Sequence, residues 1–579
     1  IFGRTMPMRR QRKPTTNGNN NDTIISTRSK GRRQPTTASS KRSRGRQQII
    51  PTWVVWSIVV FFILLGIASE HYHRTRNEEH RHEHITGLGE NHNVKNDVHG
   101  SGENNLRTRS TTTKAKTSRS LNVKSMLTPE EDDALEYDDG QRYHLIFSTD
   151  CSKYQHWQSY LVFFSAMKIK QPGHVTRIVS GCTDDEAVEI KEWFEESVQI
   201  MSPKRFHLHM TPKFSEVKDE NGKVIGEYSF FNKPYGLRHF LENFSIIGFR
   251  GTKMSDSKTD SSVDEDTLST SSFQHEDDIV ILIDPDMALL RPITKDFSKS
   301  RETVISKKRA DHILSKEVQH GVPFAQTYGL GTQWQKFDLD KIAGKDSPAK
   351  EVNQEAGRLY FPVGPPYIGT VRDMYRISVK WSEFVPRVHE QYPYLLAEMY
   401  AFCIAAAHLG LKHQIIDSLM ISNPDTGGEG WSLIDQIPPE ETCDFAREPD
   451  HNKYALPSVI HACQRYSVGK EWFFGKRRIP KDIYDCDTPL FEEPPSDLAL
   501  LYDFKWPPNA KEKTNLKPKI INQETFMVCS LTRLLNDASD FFKSTKCPDG
   551  GNKSRSRKVA DLFREGETKK QNKDKNKNK

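Results

Sequence analysis

The chain has 579 residues, with 84 Lys and Arg against 77 Asp and Glu and 35% hydrophobic residues, enough for one large domain with long flanking sequence. Its net charge of +7 is uneven, because residues 1–48 hold 13 basic residues and the single acid Asp22, so residues 49–579 carry −5. The basic excess belongs to a tail without interleaved aromatics, which argues against a nucleic-acid partner, and the eight cysteines contain no CxxC pair, which argues against a zinc ribbon.

Residues 1–48 read as a basic, disordered tail. Residues 49–68 (IIPTWVVWSIVVFFILLGIA) are 20 consecutive residues without a charge, the length of a helix that crosses a bilayer. The basic residues ahead of this segment predict a single-pass signal anchor with the N-terminus cytoplasmic and the rest lumenal, a type II membrane protein. Residues 69–141 are polar and lack hydrophobic periodicity, and they read as a disordered lumenal stem. Seven of the 21 histidines fall between His71 and His99; low composition complexity accounts for them better than a metal site. All eight cysteines follow the apolar segment, where an oxidising compartment favours disulfides.

A head domain is predicted over 142–497. Strands are expected at 143–149, 175–180, 205–210 and 279–284. Helices are expected at 155–170, 184–197 and 232–243, and a long one at 395–409. Alternation of strands and helices implies parallel βαβ units, hence an α/β doubly wound, mostly parallel sheet with helices on both faces. The Ser-, Asp- and Glu-rich stretch 250–278 cannot supply core and reads as a disordered surface insertion. Residues 498–579 form a C-terminal extension with a polar, basic tail.

The strand 279–284 ends in Asp284-Pro285-Asp286. In open α/β sheets ligands bind beyond the carboxyl ends of the strands, so the two carboxylates should stand at a crevice and repel each other unless a cation lies between them. Hard oxygen ligands suit Mn²⁺ or Mg²⁺, which keep coordination positions for nucleotide phosphates. Asn232 and Lys233 begin a helix whose N-terminus can face phosphate. Arg177 is a further cation to aim at a diphosphate. Lys470, with Lys476, Arg477 and Arg478, follows His461 and can close over the donor as a lid. Glu398 is the one carboxylate in an otherwise apolar helix, and burying it without a partner is costly. It either sits in a hydrogen-bond network or points into the cleft at the acceptor.

The stretches HLIFSTDCSKYQHWQ (144–158), QPGHVTRIVSGCTDDE (171–186), FNKPYGLRHFL (231–241), DIVILIDPDMALLRPI (278–293), YLLAEMYAFCIAA (394–406) and VIHACQRYSVGKEWFFGKRRIPKDIYDCDTPLFEEPP (459–495) resemble the hydroxyproline O-arabinosyltransferase-like family. That group includes peptidyl serine α-galactosyltransferases of plants and green algae, and the Gln-Pro-Gly, Thr-Arg-Ile, Asn-Lys-Pro and Asp-x-Asp-Met details look closest to that branch. Plant arabinosyltransferases tend to show Glu-Pro-Asp-His where this chain has Asp-Pro-Asp-Met, so both galactose and arabinofuranose remain open as donor sugar.

The resemblance implies a GT-A-like glycosyltransferase that moves a sugar from a UDP-sugar, with retention, to Ser or hydroxyproline of secreted glycoproteins in the Golgi, cis-Golgi first. It implies His461 as the residue that completes the metal shell with Asp284 and Asp286, and Asp150 as a contact to the nucleotide base or ribose; Glu398, as the acid expected at the acceptor, and Asp286 are the catalytic candidates. Two other classes stay open: an inactive GT-A-like scaffold of the Golgi membrane and a metal-dependent hydrolase.

Overall fold

The computed structural model describes residues 140–219, 221–251, 272–505 and 514–562. The predicted tail, apolar segment and all but the end of the stem lie outside these residues, as does most of the insertion 250–278. Among the described residues no helix is long and apolar enough to cross a membrane.

The N-terminal half of the head follows the predicted alternation. Strands β1 (Tyr143–Thr149), β2 (His174–Ser180), β3 (Phe206–Thr211) and β4 (Ile279–Ile283) are joined through helices α1 (Tyr154–Lys168), α2 (Asp184–Ser197) and α3 (Asn232–Asn243). Helix α2 starts where the sequence requires: the Thr183 hydroxyl accepts from the Glu186 amide, and the Glu186 carboxylate accepts from the Thr183 amide, a reciprocal cap that satisfies two otherwise orphaned donors. The C-terminal half adds β5 (Met287–Leu289), β6 (Phe324–Thr327), β7 (Val363–Thr370), β8 (Gln414–Ile416), β9 (Met420–Ile421) and β10 (Val459–His461), then the hairpin β11 (Arg465–Val468) and β12 (Trp472–Gly475). It also adds helices α4 (Val371–Gln391), α5 (Ala397–His408) and α6 (Pro518–Lys546).

Seven strands form the central sheet in the order β8–β6–β7–β4–β1–β2–β3. Every pair in it is parallel except the two made by β7, which runs antiparallel to both β4 and β6. The sheet is therefore mixed rather than wholly parallel. The chain reaches β7 through the excursion 328–362, which contains the short helices Leu339–Ala343 and Gln354–Tyr360, and β7 then enters between β6 and β4 antiparallel to both and runs into α4 with Thr370 as the N-cap.

Side-chain alternation gives each face of the sheet its own core. Leu145, Phe147, Ile281 and Ile283 pack with Phe163 of α1 and Phe526 and Leu535 of α6. Ile146, Ile178, Val280 and Leu282 pack with Leu237 of α3, Trp381 of α4 and Phe402 of α5. Both faces of β4 are thus buried, which is why its sequence reads as an unbroken apolar run. Each such side chain contributes roughly 1.5–3 kcal/mol by leaving water.

Six of the eight cysteines pair, as Cys151–Cys182, Cys443–Cys529 and Cys486–Cys547, while Cys403 and Cys463 stay free. The first bridge ties the loop after β1 to the loop after β2. The other two fasten α6 to the head. That helix, which carries no motif in the sequence, shares the apolar cluster of β1 and α1, so the C-terminal residues are packed into the same core as the strands. At the ends of the insertion, Phe249–Arg250 pairs antiparallel with Ser272–Phe273.

Candidate active site

The chain leaves the central sheet at Asp284. A turn closes there, with the Met287 amide donating to the Asp284 carbonyl at 3.1 Å, and Pro285 lies inside it, where it removes no ladder hydrogen bond. Strand β5 follows at once and pairs antiparallel with β10, placing His461 opposite Met287. The Ala462 amide donates to the Asp286 carbonyl at 2.9 Å. Residues 175 positions apart in sequence are in this way locked side by side by backbone ladders. One ligand atom from each of Asp284, Asp286 and His461 lies within 4.8 Å of the other two.

Two carboxylates and an imidazole at this spacing form a candidate metal centre, and the donor set fits Mn²⁺ or Mg²⁺ by its oxygens and Mn²⁺ by its nitrogen. The His461 Nε2 lies 3.1 Å from Asp286 Oδ1. Lys476, in the turn after β12, pairs with the other oxygen, Oδ2. Burial alone would raise the Asp286 carboxyl, but His461 and Lys476 hold it well below the ordinary aspartate range. Burial would likewise lower the His461 ring, and Asp286 holds it above its ordinary value.

Lys233, in the first turn of α3, joins the centre to a second acid. Its Nζ lies 2.7 Å from Asp284 Oδ1 and 2.8 Å from Glu398 Oε1. Burial alone would lower the ammonium; the two carboxylates overcome this and hold it above the ordinary lysine value. Glu398 is buried in the first turn of α5, and its Oε2 has no partner among the described residues. Burial raises its carboxyl above the usual glutamate range, with Lys233 opposing and Asp284 adding to the shift. Its backbone is fixed from both sides: the amide donates to the Tyr228 hydroxyl at 3.3 Å, and the carbonyl accepts from the Trp381 indole at 2.7 Å. The two alternatives for Glu398 are therefore not exclusive, since one oxygen belongs to an ionic network and the other is free.

Asp284, Asp286, His461, Lys233 and Glu398 form one connected cluster. Of the other expected residues, Lys476 joins it through Asp286, whereas Asn232, Arg177, Asp150 and Lys470 stand apart. Asn232 is buried, and its side-chain oxygen accepts from the Phe214 amide at 3.2 Å, pinning the loop after β3. Arg177 is buried on β2 opposite Phe147, which is itself opposite Ile283 on β4, so two strand spacings, roughly 9–10 Å, separate its backbone from the strand of the acidic pair. Its Nε donates to Thr149 Oγ1 at 2.9 Å, its guanidinium lies 5.6 Å from the Trp193 ring centroid, and its Nη1 has no partner among the described residues. Burial brings that guanidinium down to about 9, with Asp150 opposing. Asp150 accepts from the Ser152 amide at 2.9 Å and so closes the turn after β1. Lys470 is exposed in the tight turn between β11 and β12, while Lys476 reaches Asp286.

Three tyrosines without a sequence signal border the cluster. The Tyr328 hydroxyl is directed to the Met420 sulfur at 3.5 Å, and burial, with Asp284 and Asp286 nearby, raises its phenol far above the ordinary value. Tyr154, also raised chiefly by burial and by Asp286, has a buried hydroxyl without a partner among the described residues. Tyr228 supports Glu398. Nothing in local sequence marks them, because their role comes from strand and loop ends brought together across the sheet.

No family model matches the chain. The chain is similar to the peptidyl serine alpha-galactosyltransferase of Arabidopsis thaliana, at 24% identity over 370 residues that make up 61% of this chain and 34% of that protein. It thus spans about a third of that relative's length. This likeness supports a relationship to glycosyltransferases.

Proposed function

We propose that this chain is a metal-dependent glycosyltransferase that moves a sugar from a nucleotide-sugar, a UDP-sugar, to Ser or hydroxyproline hydroxyls of secreted polypeptides. The observation that carries the reading is the convergence of Asp284, Asp286 and His461 within 4.8 Å at the carboxyl end of a central strand, beside a buried acid with one free oxygen. The similarity to a peptidyl serine alpha-galactosyltransferase supports the acceptor class. Galactose and arabinofuranose are the two donor sugars to test.

Asp284, Asp286 and His461 would hold Mn²⁺ or Mg²⁺, and the metal supplies positive charge where the leaving diphosphate gathers negative charge. Lys476 brings a second cation to the same place from the turn after β12. Lys233 keeps Asp284 and Glu398 from repelling each other across the cluster. Glu398, held by Tyr228 and Trp381, offers Oε2 to orient an acceptor hydroxyl. Transfer with retention, in which the departing phosphate takes that proton, is part of the proposal, as is residence in the cis-Golgi membrane as a type II protein.

The lysines on both aspartates favour a second reading, an inactive scaffold of the same fold, because each carboxylate already has a tethered counter-ion. Calorimetric titration of the purified protein with UDP separates the two. The enzyme should bind UDP only with Mn²⁺ present and transfer sugar to a Ser or hydroxyproline peptide; UDP binding without turnover on any acceptor or donor selects the scaffold. In Asp286→Asn, metal-dependent UDP binding should weaken and turnover fall by orders of magnitude. Unchanged turnover in that variant refutes the metal centre.

A further inference from the structure

Glu524 lies on α6, and its side chain is wholly buried. A carboxylate is costly to bury without partners, and each oxygen of this one has its own: Oε2 accepts from the Ser467 amide at 2.8 Å, and Oε1 pairs with Lys505 Nζ. Ser467 belongs to β11, so an acid of α6 fastens the hairpin β11–β12 by its backbone. The turn of the hairpin is held at a second point. The Gly469 amide donates to the Phe504 carbonyl at 3.0 Å. Gly469 has φ +65°, and a Cβ there would meet the Tyr502 ring at 2.5 Å, so both the conformation and the close approach require glycine.

The hairpin so fastened reaches the candidate metal centre from both of its ends. At its start, the buried Tyr466 hydroxyl, one residue before Ser467, donates to the His461 carbonyl at 2.7 Å. The next amide, that of Ala462, donates to the Asp286 carbonyl. At its end, β12 runs into the turn from which Lys476 pairs with Asp286. Ser467 stands opposite Phe473, and Val468 opposite Trp472, so a displacement of β11 carries β12 and Lys476 with it.

We propose that Glu524 is a positioning residue of the active site: by fixing β11 from α6, it sets the placement of His461, through Tyr466, and of Lys476, through β12. The inference rests on the glycosyl-transfer reading and adds to it an acid that acts on the site through the hairpin. Groups that hold a metal or a diphosphate depend on the residues that orient them, because a displacement of a fraction of an ångström weakens binding. Here one buried carboxylate restrains two such groups, an imidazole and an ammonium, that meet on the same aspartate.

The test applies calorimetric titration with UDP and Mn²⁺, thermal melting and amide hydrogen exchange to the full chain and to Glu524→Gln, which keeps the shape of the side chain and removes its charge. Measured below both melting transitions, the variant should bind UDP with Mn²⁺ about five- to tenfold more weakly than the parent. Exchange should quicken in peptides covering 459–463 and 465–478 and stay unchanged in β1 and β4. Tyr466→Phe, which removes one hydroxyl and leaves Glu524 in place, should weaken UDP binding and quicken exchange at 459–463. A Glu524→Gln protein that melts earlier yet binds UDP as the parent does makes Glu524 a stability residue and overturns the proposal, as do unchanged binding and exchange in Tyr466→Phe. If Glu524→Gln does not fold, Glu524→Asp, which draws the carboxylate back from Ser467, takes its place with the same expectations. If the parent itself binds no UDP with Mn²⁺, the glycosyl-transfer reading falls and exchange at 459–463 decides the rest: quickened in the Glu524 variant, the positioning role stands, and unchanged, it falls.

Discussion

Lys233 reaches two carboxylates from the first turn of α3, and removing it would leave the buried Glu398 and the partly buried Asp284 without their common counter-ion. Breaking a buried pair in this way costs about 3–5 kcal/mol, so Lys233→Met should lower the urea midpoint by a corresponding amount. Glu398 needs a pair of variants. Glu398→Ala removes the acceptor of the Lys233 hydrogen bond and should cost about 1–3 kcal/mol. Glu398→Gln keeps shape and most hydrogen bonding; it should melt near the parent and bind UDP normally, yet lose transfer to peptide. Near-parental transfer by the Gln variant would make Glu398 a structural residue alone. At this scale the acidic pair and the lone acid of an apolar helix were legible, since both are chemically conspicuous where they stand. Lys476 was not separable from Lys470, because the turn between β11 and β12 decides which of the two faces Asp286.

Helix α6 makes a larger claim on the fold than its sequence suggests. Phe526, Met527, Leu531 and Leu535 are buried in the same cluster as Phe147 and Phe163, and Cys529 is bonded to Cys443. A chain ending at Asp497 should therefore expose a broad apolar face and fail to give a soluble, cooperatively melting head, as circular dichroism and thermal unfolding would show; a cooperative melt in that truncation would make α6 dispensable. The short turn between β8 and β9 carries a pH response. Burial raises the Asp417 carboxyl to about 6, with Arg309 at 3.6 Å opposing. An acid raised in the folded state gives its full contribution below the unfolded value, near about 4, and loses it as pH rises through the folded one. The parent should thus lose on the order of 2–3 kcal/mol relative to Asp417→Asn between about pH 4 and 6 and hold a constant difference above about pH 7. Thermal melts of both proteins across that range test it, and parallel pH profiles would contradict it. Helix spans at 184–197 and 232–243 and the strand at 143–149 agree with the structure because caps and periodicity are local signals. The run predicted as helix from 395 begins two residues later, since Leu395 and Leu396 belong to the loop that Tyr228 holds.

For the whole molecule, the asymmetry of 13 basic residues against one acid in residues 1–48 predicts that protease added to intact microsomes trims only residues ahead of about Ile49 and spares the head. Digestion of the head without detergent would overturn the type II orientation. The sequence alone determined the parallel βαβ half and the acidic pair at the end of a buried strand, because each depends on local pattern or on a residue type whose chemistry is unusual in its context, whereas His461 became a candidate only through the family resemblance. Tertiary structure alone decided that β7 runs antiparallel beside β4, that α6 completes the core, which cysteines pair, and that Lys233 bridges Asp284 and Glu398. Those outcomes depend on which distant segments share a face, and a one-dimensional pattern carries the size and polarity of a side chain but not the identity of the neighbour it will meet.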